Sequence, residues 1–101
     1  MPRDYNAVGF EALSITGSAG ALTSLPSRGR CFVGTLEPAQ ARARGDGTSP
    51  TTTVGVLIDV GDQVALTHSE LRGMKFIRTG STSGTLSGHY FDVELAVVLG
   101  G

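Results

Sequence analysis

The chain has no tryptophan, a single cysteine, a single lysine and only six aromatic residues in 101. One cysteine, Cys31, rules out an intrachain disulfide. It lies in a strand-like run, where a thiol acts as a small buried hydrophobe. A reactive thiol is the alternative that Arg28 and Arg30, close in sequence, leave open. The two histidines, His68 and His89, stand in different segments without His-x-His or His-Glu-x-x-His spacing, and no thiolate cluster completes a metal site. A metal shared at a subunit axis is the only metal reading left. Asp46, Asp59, Asp62 and Glu70 fit no EF-hand spacing, and the glycines make no phosphate loop, so no cofactor is expected. No nucleophile stands beside a base, and an enzyme is not expected. Without tryptophan and with two tyrosines, the chain lacks the aromatic faces on which sugars stack, which argues against a carbohydrate-binding module.

Charge is scarce too. The net charge of −1 supplies no long-range field for nucleic acid or an anionic membrane. The first residues carry no apolar signal-peptide core, and no run approaches the roughly 20 apolar residues of a membrane span. The expectation is a soluble protein made in a cytoplasm.

What the chain does have is 15 glycines, 20 serines and threonines, and many valines, a composition of strands joined by turns. Residues 1–9 read as an extended N-terminal arm with Tyr5 and Val8 as anchors, and 10–101 as one domain. Phe10 to Thr16 alternates, with Leu13 and Ile15 on one face. Cys31 to Glu37 puts Phe32, Gly34 and Leu36 on one face, and Pro38 ends it. Ala41 and Ala43 alternate with Arg42 and Arg44, giving a short strand with a small buried face and a charged one. Gly45-Asp46-Gly47 then turns the chain. Val54 to Val60 reads as the best strand, with Val54, Val56, Ile58 and Val60 on one face. Gly61-Asp62 turns it into a hairpin whose return strand holds Val64 and Leu66. Residues 68–73 suit one helical turn ended by Gly73. Met74 to Thr79 reads as a strand with Met74 and Phe76 inward, and Phe91 to Leu99 as a final alternating strand. Strands at about ten-residue spacing predict an all-β, single-domain β-sandwich or small β-barrel.

Asp46-Gly47-Thr48-Ser49-Pro50-Thr51, Val54-Gly55, Gly61-Asp62 and Ile77-Arg78-Thr79-Gly80, in that order, resemble a pattern of small structural proteins of tailed bacteriophages. The resemblance covers Leu36 to about Tyr90. It implies a non-enzymatic virion component, most concretely a capsid decoration (cement) protein that stabilises the assembled shell. Its implied partners are the major capsid protein and copies of itself, with a trimer as the commonest arrangement by analogy. It would reside in the virion after synthesis in the host cytoplasm. A head–tail connector or tail component is the alternative. The Asp-Gly-Thr-x-Pro-Thr piece is also similar to turns in β-sandwich modules of chitobiase-like enzymes. The apolar tail after Tyr90 departs from the phage pattern, and such a strand either closes the fold or pairs with a neighbouring subunit.

Subunit contact is expected from Tyr5, Val8, Arg42, Arg44, Arg78, Asp92 and Glu94, with Arg72 also a basic candidate. Guanidiniums would clamp carboxylates of a neighbour, Glu37, Asp92 or Glu94, against the alternative of a solvated face with weak ion pairs. Arg44-Gly45-Asp46 is the tripeptide that integrins bind, but in a Gly-rich run it reads as a turn.

Overall fold

The computed structural model describes residues 6–95. Seven strands follow in the order β1 (Ala7–Ile15), β2 (Cys31–Glu37), β3 (Ala41–Arg44), β4 (Val56–Ile58), β5 (Gln63–Leu66), β6 (Lys75–Arg78) and β7 (Gly84–Phe91). A single 3₁₀ turn, His68–Glu70, separates β5 from β6. Glu70 braces it by accepting the Thr67 N–H at 2.8 Å.

The strands form two antiparallel sheets, one of order β1-β7-β2-β5 and one of order β4-β3-β6. The all-β, sandwich-like architecture is therefore the expected one. The shared core joins Ile15, Phe32, Leu36, Val64, Leu66, Leu86 and Tyr90 of the larger sheet to Ala41, Ala43, Ile58 and Phe76 of the smaller. Alternation decides which side chains enter it. In β3 the two alanines are buried and the two arginines half-exposed, which lets the short strand press close to the opposite sheet.

One side of the sandwich is stitched and the other is open. At the stitched side Gly20 and Phe76 exchange backbone hydrogen bonds of 2.9 and 2.7 Å, and the Arg78 N–H donates to the Thr16 carbonyl at 3.0 Å. On the opposite side β4 and β5 are the outer strands of different sheets.

A pair of glycines sits at the centre of the larger sheet. Gly34 faces Gly88 across β2 and β7, next to the Phe32–Tyr90 pair. The Phe32 and Tyr90 rings meet edge to face at 5.1 Å, and Phe32 leans over the glycines. A Cβ on Gly34 would stand 2.6 Å from the Ser87 carbonyl oxygen and 2.8 Å from Phe32 Cε2. The ring fills the space that two missing side chains leave.

Four expectations need correction. Residues 7–9 are not arm, because Ala7 and Gly9 pair with Phe91 and Tyr90. The long strand from Val54 to Val60 shrinks to Val56–Ile58, and only Ile58 of its four aligned residues is buried. The hairpin does not form: β4 pairs with β3, whereas β5 pairs with β2. The Gly61-Asp62 turn carries the chain between sheets. It is held by a Gly61 N–H to Leu36 O bond of 2.8 Å and a Leu36 N–H to Asp62 O bond of 3.2 Å. These bonds to β2 replace the local pairing that a hairpin needs. Finally, strand β7 begins at Gly84 and ends at Phe91, where the Asp92 backbone and carboxylate turn to Asn6. The expected strand beyond Phe91 is not present over 92–95, and its residues 96–99 lie outside the described residues.

Candidate functional site

The open side of the sandwich is a groove of about 790 Å³ between β4 and β5. Val54, Val56 and Leu57 line one wall, Val64, Ala65 and Leu66 the other, and Met74 lies at the end nearest the 3₁₀ turn. Each wall is a sheet edge with no partner strand on its groove side among the described residues. Val56 is 71 % exposed, Val54 49 % and Leu57 47 %, an unusual density of bare aliphatic surface for a three-residue strand and its approach. Asp46, Asp62 and Glu70 contribute carboxylates to the rim, and Arg44 a cation. An apolar floor with unsatisfied strand edges suits an extended peptide segment, which gains main-chain hydrogen bonds and side-chain burial together.

The motif residues build the loop that presents β4. Thr51 Oγ1 accepts the Val54 N–H at 2.9 Å, and the Thr51 N–H donates to Val54 O at 2.9 Å. Arg42 reaches across from β3, donating through Nε to the Thr52 carbonyl at 3.1 Å and through Nη1 to the Gly55 carbonyl at 3.0 Å. Gly55, at φ +138°, occupies a backbone region that side chains avoid, which brings its carbonyl to the guanidinium. Arg44 forms a two-pronged pair with Asp46 at 2.8 and 3.0 Å. That contact, with the Thr48 N–H, holds the Asp46 carboxyl below the usual carboxylate range. In the Arg44-Gly45-Asp46 tripeptide the two charged side chains are thus tied to each other.

Of the other subunit-contact candidates, Arg78 donates through Nη1 to Ser83 Oγ at 3.1 Å, bracing the turn before β7. Asp92 accepts the Asn6 N–H at 3.1 Å and pairs with Arg28 at 3.2 Å, fastening the end of β7 to the start of β1. Val8 is half-buried and packs against the core. Glu94 is exposed, and Tyr5 lies outside the described residues. The structure does not gather these residues into one patch. Arg42, Arg44, Arg78 and Asp92 each have a partner within the chain.

The residue that the sequence motifs pass over is Glu11. It is buried on the inner face of β1, on the alternation that also takes Leu13 and Ile15 inward. Its carboxylate accepts from the Tyr90 hydroxyl at 2.6 Å, the Ser24 N–H at 2.9 Å and the Thr23 N–H at 3.0 Å, with the Thr23 hydroxyl at 3.2 Å. Burial pushes its pKa up, but the Tyr90 hydroxyl and the Thr23 and Ser24 donors outweigh it and hold the group below its ordinary value. The same burial and the adjacent carboxylate push the Tyr90 phenol far up. Donors on three sides make this a structural anchor for the 20–30 loop. The one local signal for it is that Glu11 falls on the same period as Leu13 and Ile15.

Cys31 is fully buried, and burial raises its thiol pKa. On the outer face of the larger sheet, the Phe10 ring meets His89 edge-on at 5.3 Å, and His89 lies 6.4 Å from Phe91. Among the described residues no group of three or more His, Cys, Asp or Glu is placed to hold a metal ion. No helix there is long and apolar enough to cross a membrane.

No protein-family model, curated protein or solved structure matches this chain.

Proposed function

We propose that this protein is a structural component of a phage virion, a capsid decoration protein that attaches to the assembled shell and stabilises it through contacts between subunits. The observation that carries the proposal is the groove between β4 and β5: two sheet edges and bare valine and leucine side chains arranged to receive an extended segment of a neighbour. The ordered motif supports it in part: Asp46 to Gly55 forms the loop that presents β4 and Gly61-Asp62 the turn that leads into β5, whereas Ile77 to Gly80 lies at the opposite edge of the smaller sheet.

The mechanism is mass action. A protein that binds the assembled shell and not its precursors stabilises that state by RT ln(1 + [L]/Kd) per site. Backbone pairing along an edge supplies affinity, and the rim charges of Asp62, Glu70, Asp46 and Arg44 select orientation. The partners are the major capsid protein and further copies of this chain.

The test is the number of copies per purified particle, measured by quantitative mass spectrometry against the major capsid protein. A ratio near one to one is expected. A handful of copies would replace decoration with a connector or tail role, and absence from particles would overturn the virion reading altogether.

A further inference from the structure

We infer that the groove between β4 and β5 takes an extended segment of a partner protein with one particular chemistry: aliphatic side chains at alternate positions and a lysine or arginine at each end. The groove has the form of a missing strand. On β4, Val56 stands opposite Ala43 and so shares its inward face, yet Val56 is 71 % exposed while Ala43 is buried. Ile58, on the same face, is buried, so β4 is covered next to the Gly61-Asp62 turn and bare toward its other end. Across the gap Val64 and Leu66 turn inward beside Gly34 and Phe32, and β5 has no partner strand on its outer edge among the described residues. A strand inserted there pairs with that edge and sets its inward side chains on Val56 and Val64.

The ends of the groove supply the charge. Asp62 stands just before the first residue of β5, and Glu70 in the 3₁₀ turn that follows its last. Neither forms an ion pair with a cation among the described residues. The cation among the lining residues, Arg44, is already paired with Asp46. The excess negative charge therefore lies at opposite ends of the β5 edge, with bare aliphatic surface between.

That arrangement selects its occupant. Carboxylates beside an apolar groove repel an acidic segment and attract a basic one. With one residue on either side, the four residues of β5 extend about 20 Å, so cations about six positions apart on an extended chain reach both ends. That the segment belongs to the major capsid protein rests on the proposed function; the chemistry of the groove does not.

The experiment is an NMR titration of the full chain with the synthetic peptide acetyl-Lys-Val-Thr-Val-Thr-Val-Lys-amide. Saturable shifts are expected at the methyls of Val56, Val64 and Leu66 and at the amides of β5. Binding should weaken about tenfold when both lysines of the peptide are replaced by glutamates. Asp62→Asn combined with Glu70→Gln keeps the oxygens that accept the Asp59 and Thr67 amides, and should weaken the lysine peptide about fivefold without changing the folded spectrum. No shift at these residues up to about 1 mM peptide would overturn the inference, and so would equal affinity for the lysine and glutamate peptides. Groove shifts that grow with protein concentration alone would assign the site to a second copy and overturn it too. Particle copy number tests the proposed function separately. Peptide binding without copies in particles removes the virion role alone, and copies in particles without peptide binding remove the groove chemistry alone.

Discussion

The Tyr90 hydroxyl donates to Glu11 Oε1 at 2.6 Å and so joins the middle of β1 to the far end of β7 beneath the sheet. Glu11 is the one buried charged residue among the described residues, and Tyr90 is fully buried. The carboxylate also takes the Thr23 and Ser24 amides, fixing the long connection between β1 and β2. A buried charge is tolerable only when its lone pairs are occupied, and here donors reach both oxygens.

Removing the hydroxyl should therefore cost more than an ordinary hydrogen bond. Tyr90→Phe is expected to lower the unfolding free energy by about 1.5–3 kcal/mol, the range for bonds to charged groups. Urea unfolding of the variant and the parent checks it. An unchanged midpoint would mean that water replaces the phenol.

The same carboxylate sets an acid limit. Its pKa is lower in the folded protein than in the unfolded chain, so the unfolded state takes up protons first. The Glu11 contribution is complete above the unfolded value of about 4.3 and is lost as pH falls through the lower folded value. Urea midpoints measured from pH 6 to pH 3 should fall at the acid end. Glu11→Gln should be less stable at pH 6 and show a shallower acid decline.

Gly34 and Gly88 allow no side chain. In Gly34→Ala the new methyl meets the Ser87 carbonyl and the Phe32 ring at under 3 Å, and in Gly88→Ala it meets the Val33 carbonyl and the same ring. Overpacking of this kind costs about 1–3 kcal/mol or more. Gly80→Ala, with nothing within 4 Å, is the control and should stay within about 0.5 kcal/mol of the parent. Thermal unfolding of the three variants tests the contrast.

Arg42 and Arg44 should behave differently although they stand on the same face of β3. Arg42 holds two carbonyls of the 50–55 loop, and Arg42→Ala should cost about 1–3 kcal/mol and speed proteolytic cleavage in that loop. Arg44 pairs with an exposed Asp46, and Arg44→Ala should leave the unfolding midpoint nearly unchanged. Denaturation paired with limited proteolysis separates the two roles.

Cys31 should be silent toward a thiol reagent in the native protein, because it is fully buried and its thiol pKa is raised. Reaction with a disulfide reagent at pH 8 should proceed at the rate of unfolding and become rapid in denaturant. Fast labelling of the native state would contradict its burial.

Much of the strand content was legible because alternation of small, apolar and polar residues is a local property. Ala41 and Ala43 face in while Arg42 and Arg44 face out because the pleat allows nothing else. Phe32, Gly34 and Leu36 share a buried face for the same reason. Glu11 shares the period of Leu13 and Ile15, but a carboxylate is not a core residue by local pattern; the fold supplied Tyr90, Thr23 and Ser24 as the donors that let it be buried. The candidate groove was not legible. Val54, Val56, Ile58 and Val60 have the pattern of a core strand, yet three of the four are exposed because β4 joins the β3–β6 sheet at its edge. The turn at Gly61-Asp62 has hairpin chemistry, yet bonds from Gly61 and Asp62 to Leu36 send β5 to β2 instead. The sequence by itself determined which segments extend and which side chains turn inward, since strand period and turn chemistry act over a few residues. Only the tertiary structure decided which edges meet and which stay open, because pairing between distant strands depends on contacts that no local pattern contains.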